Sequence, residues 1–339
     1  MNRSALAILL TLMGSYAHAE FNPIPKESGF SGYGLLGGSY TEVNSNVLVG
    51  PKKSESQRLS SLDSQTSSDG GGVDLNLDLR YTFADSRTQV YLGNLIQDAV
   101  TLDFTQQLGV RTEMADKGIG SIAYVFSGIP GKVWSNPYQT GSNREETDRD
   151  SQGVRLGWDE IWGTKFAANY TYRKVEIENE QSGAGFVDPD TGIPMSLAQQ
   201  ALLDRNGETQ ALYLSYYWMG KQGGILSPSV TYTRNNADGG AASYDRYSGQ
   251  LSYAWMQPKY SLVTNLVVNQ LQYDEVNPVF GEKVDATEWG LNANFFWNKL
   301  AGVDKLSAVF SASYGESDAN VDFFDSDMTR VSAGLLYKF

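Results

Sequence analysis

The chain of 339 residues contains no cysteine and a single histidine, His18. Without cysteine there is no disulfide framework, no thiolate nucleophile and no Cys/His zinc site. Only 19% of residues are charged, against 41% hydrophobic, which fits neither a disordered chain nor a bundle of membrane helices. Long apolar runs are also missing. Beyond the N-terminus no stretch approaches the ~20 residues that a membrane helix needs, so any membrane span has to be made of strands. What the chain does have is glycine and aromatic rings, 35 Gly, 20 Tyr, 14 Phe and 7 Trp, a composition that points to β-structure.

The N-terminus reads as an export signal. Met1-Asn2-Arg3 is a positive leader, Ala5 to Met13 an apolar core too short to span a bilayer, and Ala17-His18-Ala19 a small-residue cleavage pattern that leaves Glu20 first. Cleavage after Ala19, on the Sec route, removes the histidine and one charge, Arg3, so the net formal charge moves from −13 to −14. An acidic mature chain is a poor partner for nucleic acid. One without histidine excludes any hydrolytic mechanism that uses imidazole as base. No serine-lysine or carboxylate-pair motif replaces it, so neither enzymatic activity nor a cofactor is expected.

Strand signals fill the rest. Val73, Leu75, Leu77, Leu79, Tyr81 and Phe83 alternate with Asp74, Asn76, Asp78, Arg80 and Thr82, an apolar face and a face for water. The same period runs through Val100 to Val110 and Thr287 to Trp297. Candidate strands fall near 31–43, 73–83, 87–94, 99–110, 118–127, 153–158, 164–175, 209–218, 225–234, 246–255, 260–271, 286–297, 305–315 and 328–339. Short turns follow the even-numbered strands and long connections follow the first, fifth and seventh. That asymmetry predicts an all-β fold, a transmembrane antiparallel up-and-down β-barrel of about fourteen strands, or twelve if the short third and Gly-rich first are discounted. Residues 20–30 are then a short periplasmic segment, too small for the plug of an energised transporter, and 31–339 the barrel. Strands descending to the short-turn side end in Phe83, Trp158, Trp218, Trp255, Trp297 and Phe339, the pattern of an interfacial aromatic girdle.

The chain stops on a phenylalanine. Ser332-x-Gly334-x-x-Tyr337-x-Phe339 resembles the terminal β-signal that the barrel-assembly machinery reads in Gram-negative outer-membrane proteins. Several internal stretches carry a second likeness: Arg80-Tyr81-Thr82-Phe83-Ala84-Asp85 with Leu92-Gly93-Asn94, Trp134-x-Asn136-Pro137-Tyr138 with Arg144-Glu145-x-Thr147-Asp148-Arg149, Leu202 to Gly207, and Tyr244-Asp245. They resemble the gammaproteobacterial outer-membrane family DUF2860 over nearly the whole mature chain. The resemblance implies a barrel in the bacterial outer membrane, but carries no functional residues across.

If the apolar faces meet lipid, then Asp74, Asp78, Arg80, Asp103, Arg155, Lys165, Arg173, Arg246, Glu288 and Arg330 point inward. Charges of both signs facing one another across water would set up the transverse field of a passive, porin-like channel for small hydrophilic solutes. Two alternatives stay open: the same charges pair and close the lumen, leaving a barrel that acts through its outer loops in adhesion, surface contact or stabilisation of the lipopolysaccharide layer, or the barrel conducts hydrophobic compounds through an apolar site not visible in the sequence. In the long loop 176–208, Ser196-Leu197-Ala198-Gln199 has capping-box spacing and Asn206-Gly207 a stop, so a short helix is expected there, folded into the pore or packed over the rim. Carboxylates cluster in that loop (Glu178, Glu180, Asp188, Asp190, Asp204) and near Glu316 to Asp327. Such clusters could hold Ca²⁺ or Mg²⁺, including ions shared with lipopolysaccharide phosphates, but Asp188-Pro-Asp190-Thr-Gly192 is too short a match to a calcium loop, and a solvated acidic surface is the expectation.

Overall fold

The computed structural model describes residues 23–94, 105–220 and 224–339. The leader, Asp103 and positions 99–104 of the fourth expected strand lie outside the described residues. Fourteen antiparallel strands form the wall: β1 Gly29–Ser45, β2 Ser67–Phe83, β3 Thr88–Asn94, β4 Thr105–Glu113, β5 Ile119–Ser127, β6 Glu146–Asp159, β7 Phe166–Ile177, β8 Gly207–Tyr216, β9 Gly224–Ala237, β10 Tyr244–Met256, β11 Tyr260–Tyr273, β12 Ala286–Asn298, β13 Leu306–Ala319 and β14 Ser326–Lys338. Trp218–Met219 prolongs β8 past Tyr217. Each strand pairs with the next, and β14 returns to pair with β1, so the sheet is closed and leaves no edge.

All fourteen expected strands are present, but several run further. β2 begins at Ser67 rather than 73 and β6 at Glu146 rather than 153, while β1 begins at Gly29. These extensions lie beyond the lipid, where both faces meet water or loops. The ladder continues there while the apolar alternation stops, so the sequence pattern ends early.

Outside, the period-two residues form an apolar band. Leu36, Leu75, Leu77, Leu108, Leu156, Val268 and Leu291 all lie exposed on the outer wall. Rings border the band on the short-turn side: Phe30, Tyr81 and Phe83 meet edge to face, as do Trp158 with Trp162 and Tyr216 with Trp218, and Tyr260 lies beside Trp297. On the other border tyrosine hydroxyls donate to polar groups, Tyr40 to Asp69, Tyr124 to Gln152, Tyr170 to Gln210 and Tyr232 to Asp245. An apolar band between two aromatic borders is the surface of a membrane-spanning barrel. The short turns are tightly wound. All six described non-glycine residues in the left-handed region lie there: Arg87, Ala115, Glu160, Trp162, Lys299 and Ala301. That conformation matches the twist of the strands that the turns connect.

The seam between β14 and β1 explains the C-terminal pattern. Gly334 sits directly opposite Gly37, and a Cβ on Gly334 would lie 2.9 Å from the Leu36 carbonyl oxygen. Ser332 pairs with Ser39, Tyr337 faces outward, and the Phe339 amide donates to the Gly32 carbonyl (3.1 Å). The seam therefore closes through backbone contact at a position where no side chain fits.

The inner wall is less uniformly wet than the alternation predicts. On the side running from β9 through β14 to β1, near the short turns, Ala254 packs with Val263, and Leu35 with Val309 and Leu336, with Phe296 joining both groups. Above them an uncharged ladder runs Ser252 to Asn265 (2.7 Å) and Ser311 to Asn294 (2.6 Å). An inward face that was expected to meet only water is thus partly a packed floor.

Candidate functional site: a roofed chamber in the upper barrel

The long loops do not stand free above the barrel. Loops 46–66, 128–145, 178–206, 238–243, 274–285 and 320–325 meet in one apolar cluster built on Leu59, Tyr138, Leu203, Ala241 and Phe323. Tyr138 stacks on Phe323 (centroids 5.6 Å apart) and meets Phe280 edge to face (6.1 Å). Such ring pairs contribute about 0.5–1.5 kcal/mol each beyond the area they bury. Because these loops rise from both sides of the rim, the cluster is a cap across the mouth.

One buried cation pins the cap. The Arg144 guanidinium donates to the carbonyls of Asn46, Ser56 and Pro137 and lies 4.3 Å over the Trp134 ring. The Trp134 indole in turn donates to Leu48 (3.2 Å). Burial, with no carboxylate beside it, pulls the Arg144 guanidinium down to about 10. The Tyr138 phenol, also pushed up by burial, accepts from Asn277 (3.1 Å). Arg205 ties the long loop down, pairing with Glu180 (2.7 Å) and donating to the Trp134 and Ser135 carbonyls. Asp188 accepts from the amides of Asp190 and Thr191, which holds its carboxyl below the usual range. Glu180 and Asp188 are thus used locally, and among the described residues no His/Cys/Asp/Glu group has the arrangement of a metal site.

The expected helix forms at Leu197–Ala201 with its complete Ser196/Gln199 capping box. It sits on the outside of the cap, and no residue of its loop reaches the space beneath. The inward reach belongs to two other loops. A short strand, Gly131–Trp134, pairs with the upper part of β6 and carries Val133 to Leu48, forming a bridge between loops across the barrel. No sequence signal marks this pairing, because the two segments are far apart in the chain and neither has a strand period.

Below the cap is a chamber of about 510 Å³. Val47, Leu48, Val133, Val284 and Phe324 form its apolar roof. Its walls come from β6 to β14 and include Arg155, Arg173, Arg246 and Glu288. Arg155 donates to Thr171 (3.4 Å) and Arg173 to Thr105 (3.3 Å). The Arg246 guanidinium lies 3.6 Å from Glu288, whose carboxylate also accepts from Asn269 (2.8 Å).

The other expected lumen residues lie on the inner wall outside the chamber. Arg80 and Asp78 form a bidentate pair (2.6 and 3.0 Å). Asp74 and Arg330 form a fully buried pair, supported by Ser39 and Thr41. Lys165 lies over the Tyr217 ring at 5.6 Å. The inner charges therefore divide: on the β14–β1–β2 wall they are closed pairs, and around the chamber arginine predominates.

A family model matches residues 29–338, described as a protein of unknown function, DUF2860. The chain belongs to the DUF2860 family. Two of the stretches of this DUF2860 chain that carry the likeness meet in the cap, where Trp134, Tyr138, Arg144, Leu203 and Arg205 are its ring stack, core and pins, while Arg80 to Asp85 lie on β2 and its short turn. No curated relative matches the chain. Among solved structures it is similar to the outer-membrane OmpT of Vibrio cholerae (10% identity, 93% of this chain and 100% of the other, TM-score 0.40). It is similar also to an anion-selective porin from Comamonas acidovorans (11%, 92% and 100%, 0.40) and to a Pseudomonas aeruginosa FadL homologue (11%, 94% and 93%, 0.46). These likenesses concern the barrel fold alone.

Proposed function

We propose that this DUF2860 barrel is a channel of the bacterial outer membrane that passes small hydrophilic solutes through the roofed chamber. The export signal, the aromatic-bordered apolar band and the closing seam support the location. Outer-membrane lipid and lipopolysaccharide are the partners of the band, and the barrel-assembly machinery is the partner of Ser332, Gly334, Tyr337 and Phe339. The observation that carries the channel reading is the chamber itself, a space inside a closed barrel with Arg155, Arg173, Arg246 and Glu288 on its wall, where side chains leave room for a solute. The cap and the packed floor make it a narrow, selective passage rather than a wide pore.

Single-channel recording of the refolded protein in a planar bilayer tests this. Steady ohmic steps are expected, larger in an Arg144→Met variant whose cap is loosened. Arg246→Glu is expected to shift the reversal potential toward cations, and Arg80→Glu to shift it less, because Arg246 lines the chamber and Arg80 does not. A folded barrel that stays silent in both wild-type and Arg144→Met forms would overturn the channel and move the function to the outer loops.

A further inference from the structure

The chamber is amphipathic, and its polar side is cationic. Four arginines, Arg149, Arg155, Arg173 and Arg246, line it against one carboxylate that points inward from the described wall, Glu288; Lys132 also borders it, but its ammonium pairs with Asp148. Glu316 and Asp327 also border it, but their carboxylates are on the outer face, accepting from Tyr314 and Asn44. Arg246 is the least satisfied of the arginines that hold the wall. Its Nε is buried without a partner, and its one carboxylate neighbour, at 3.6 Å, already accepts from Asn269. The guanidinium is held in place over the Tyr244 ring at 5.5 Å. A planar fork with unused donors, fixed by a ring, is built to take a carboxylate in two parallel hydrogen bonds. The apolar side of the same chamber is the roof of Val47, Leu48, Val133, Val284 and Phe324.

We propose that the chamber binds small organic anions with an apolar body, taking the carboxylate on Arg246 and the body against the loop roof. This deepens the channel reading and rests on it for its biological sense, although the site itself does not require conduction. A chamber of about 510 Å³ holds one molecule the size of an aromatic or short branched aliphatic monocarboxylate. Neither half of the site suffices. A carboxylate without a body leaves the roof unfilled, and a neutral ring leaves the buried guanidinium without its partner.

Equilibrium binding of benzoate to the refolded, detergent-solubilised barrel, followed by saturation-transfer NMR, tests the site, with bilayer recording on the same preparation. Benzoate is expected to bind at least tenfold more tightly than acetate and than benzyl alcohol. Arg246→Met is expected to reduce benzoate binding at least tenfold and leave benzyl alcohol unchanged. Glu288→Gln, which removes the competing carboxylate, is expected to strengthen it several-fold, and serves if Arg246→Met does not fold. Benzoate binding no better than acetate, or unchanged in the folded Arg246→Met or Glu288→Gln protein, overturns the proposal. Binding without conductance leaves the site standing and removes the channel; conductance without selective binding does the reverse.

Discussion

Replacing Asp74 with leucine isolates the energetics of the inner wall. Asp74 and Arg330 are both about 2% exposed, and the Asp74 carboxylate, besides meeting the guanidinium, accepts from Ser39 at 3.0 Å. In the Asp74→Leu protein, Arg330 keeps its hydrogen bond to Thr41 (3.2 Å) and carries an uncompensated charge in a site that water does not reach. Breaking a buried pair on one side costs about 3–5 kcal/mol, a factor of roughly 10²–10⁴ in the folding equilibrium. The pair is not fully satisfied even in the intact protein, since Asp74 Oδ2 and Arg330 Nε have no partner. The double replacement Asp74→Leu with Arg330→Met is therefore expected to recover most or all of the loss. Urea titration of the barrel refolded into liposomes, read by tryptophan fluorescence and heat-modifiable electrophoretic mobility, measures both. A single variant that loses less than about 1 kcal/mol, or a double variant that loses as much as the single, would refute the account of this pair as a buried and poorly compensated ion pair.

Three further outcomes are expected. Leu77→Arg, near the middle of the outer band, should cost about 2–4 kcal/mol in lipid, while Leu197→Arg on the exposed loop helix should stay within about 0.5 kcal/mol; urea midpoints in the same liposomes compare them. Gly334→Ala should slow refolding and cost about 1–3 kcal/mol by pushing the seam apart, whereas Gly38→Ala, whose Cβ would meet nothing closer than 3.7 Å, should refold like wild type. Arg144→Met leaves the carbonyls of Asn46, Ser56 and Pro137 without their donor, at about 1–3 kcal/mol each when buried, and should open the loops to limited proteolysis while the barrel keeps its heat-modifiable mobility.

The wall was legible because its signals are local. Two neighbours decide whether a strand residue faces lipid or lumen, so Val73 to Phe83 and Thr287 to Trp297 show their faces in the bare sequence, and the girdle from Phe83 to Phe339 marks the membrane border. The count of fourteen, the closing pair β1–β14 and the inward direction of Arg155, Arg173, Arg246 and Glu288 follow from that period. Where the period stopped, reading failed early, as at Ser67 and Glu146, because a strand above the lipid needs no apolar face. Inward apolar residues such as Leu35, Val263 and Leu336 looked like ordinary members of their strands, since nothing local says that they meet one another across the lumen.

The chamber lay beyond the sequence altogether. Its roof joins Leu48 to Val133, and its cap joins Leu59, Tyr138, Leu203 and Phe323, residues brought together only when the closed barrel sets six loops around one mouth. Their contacts have no period and no fixed spacing. The same holds for charge: strand alternation determined that Arg330, Arg80 and Arg246 all face inward, and it set Arg80 beside Asp78 on one face of one strand, but only the tertiary structure decided that Arg330 is neutralised by Asp74 while Arg246 keeps an unpartnered donor in a chamber with an apolar roof. Facing direction is set by the strand's own geometry, whereas pairing depends on which strands and loops closure makes neighbours.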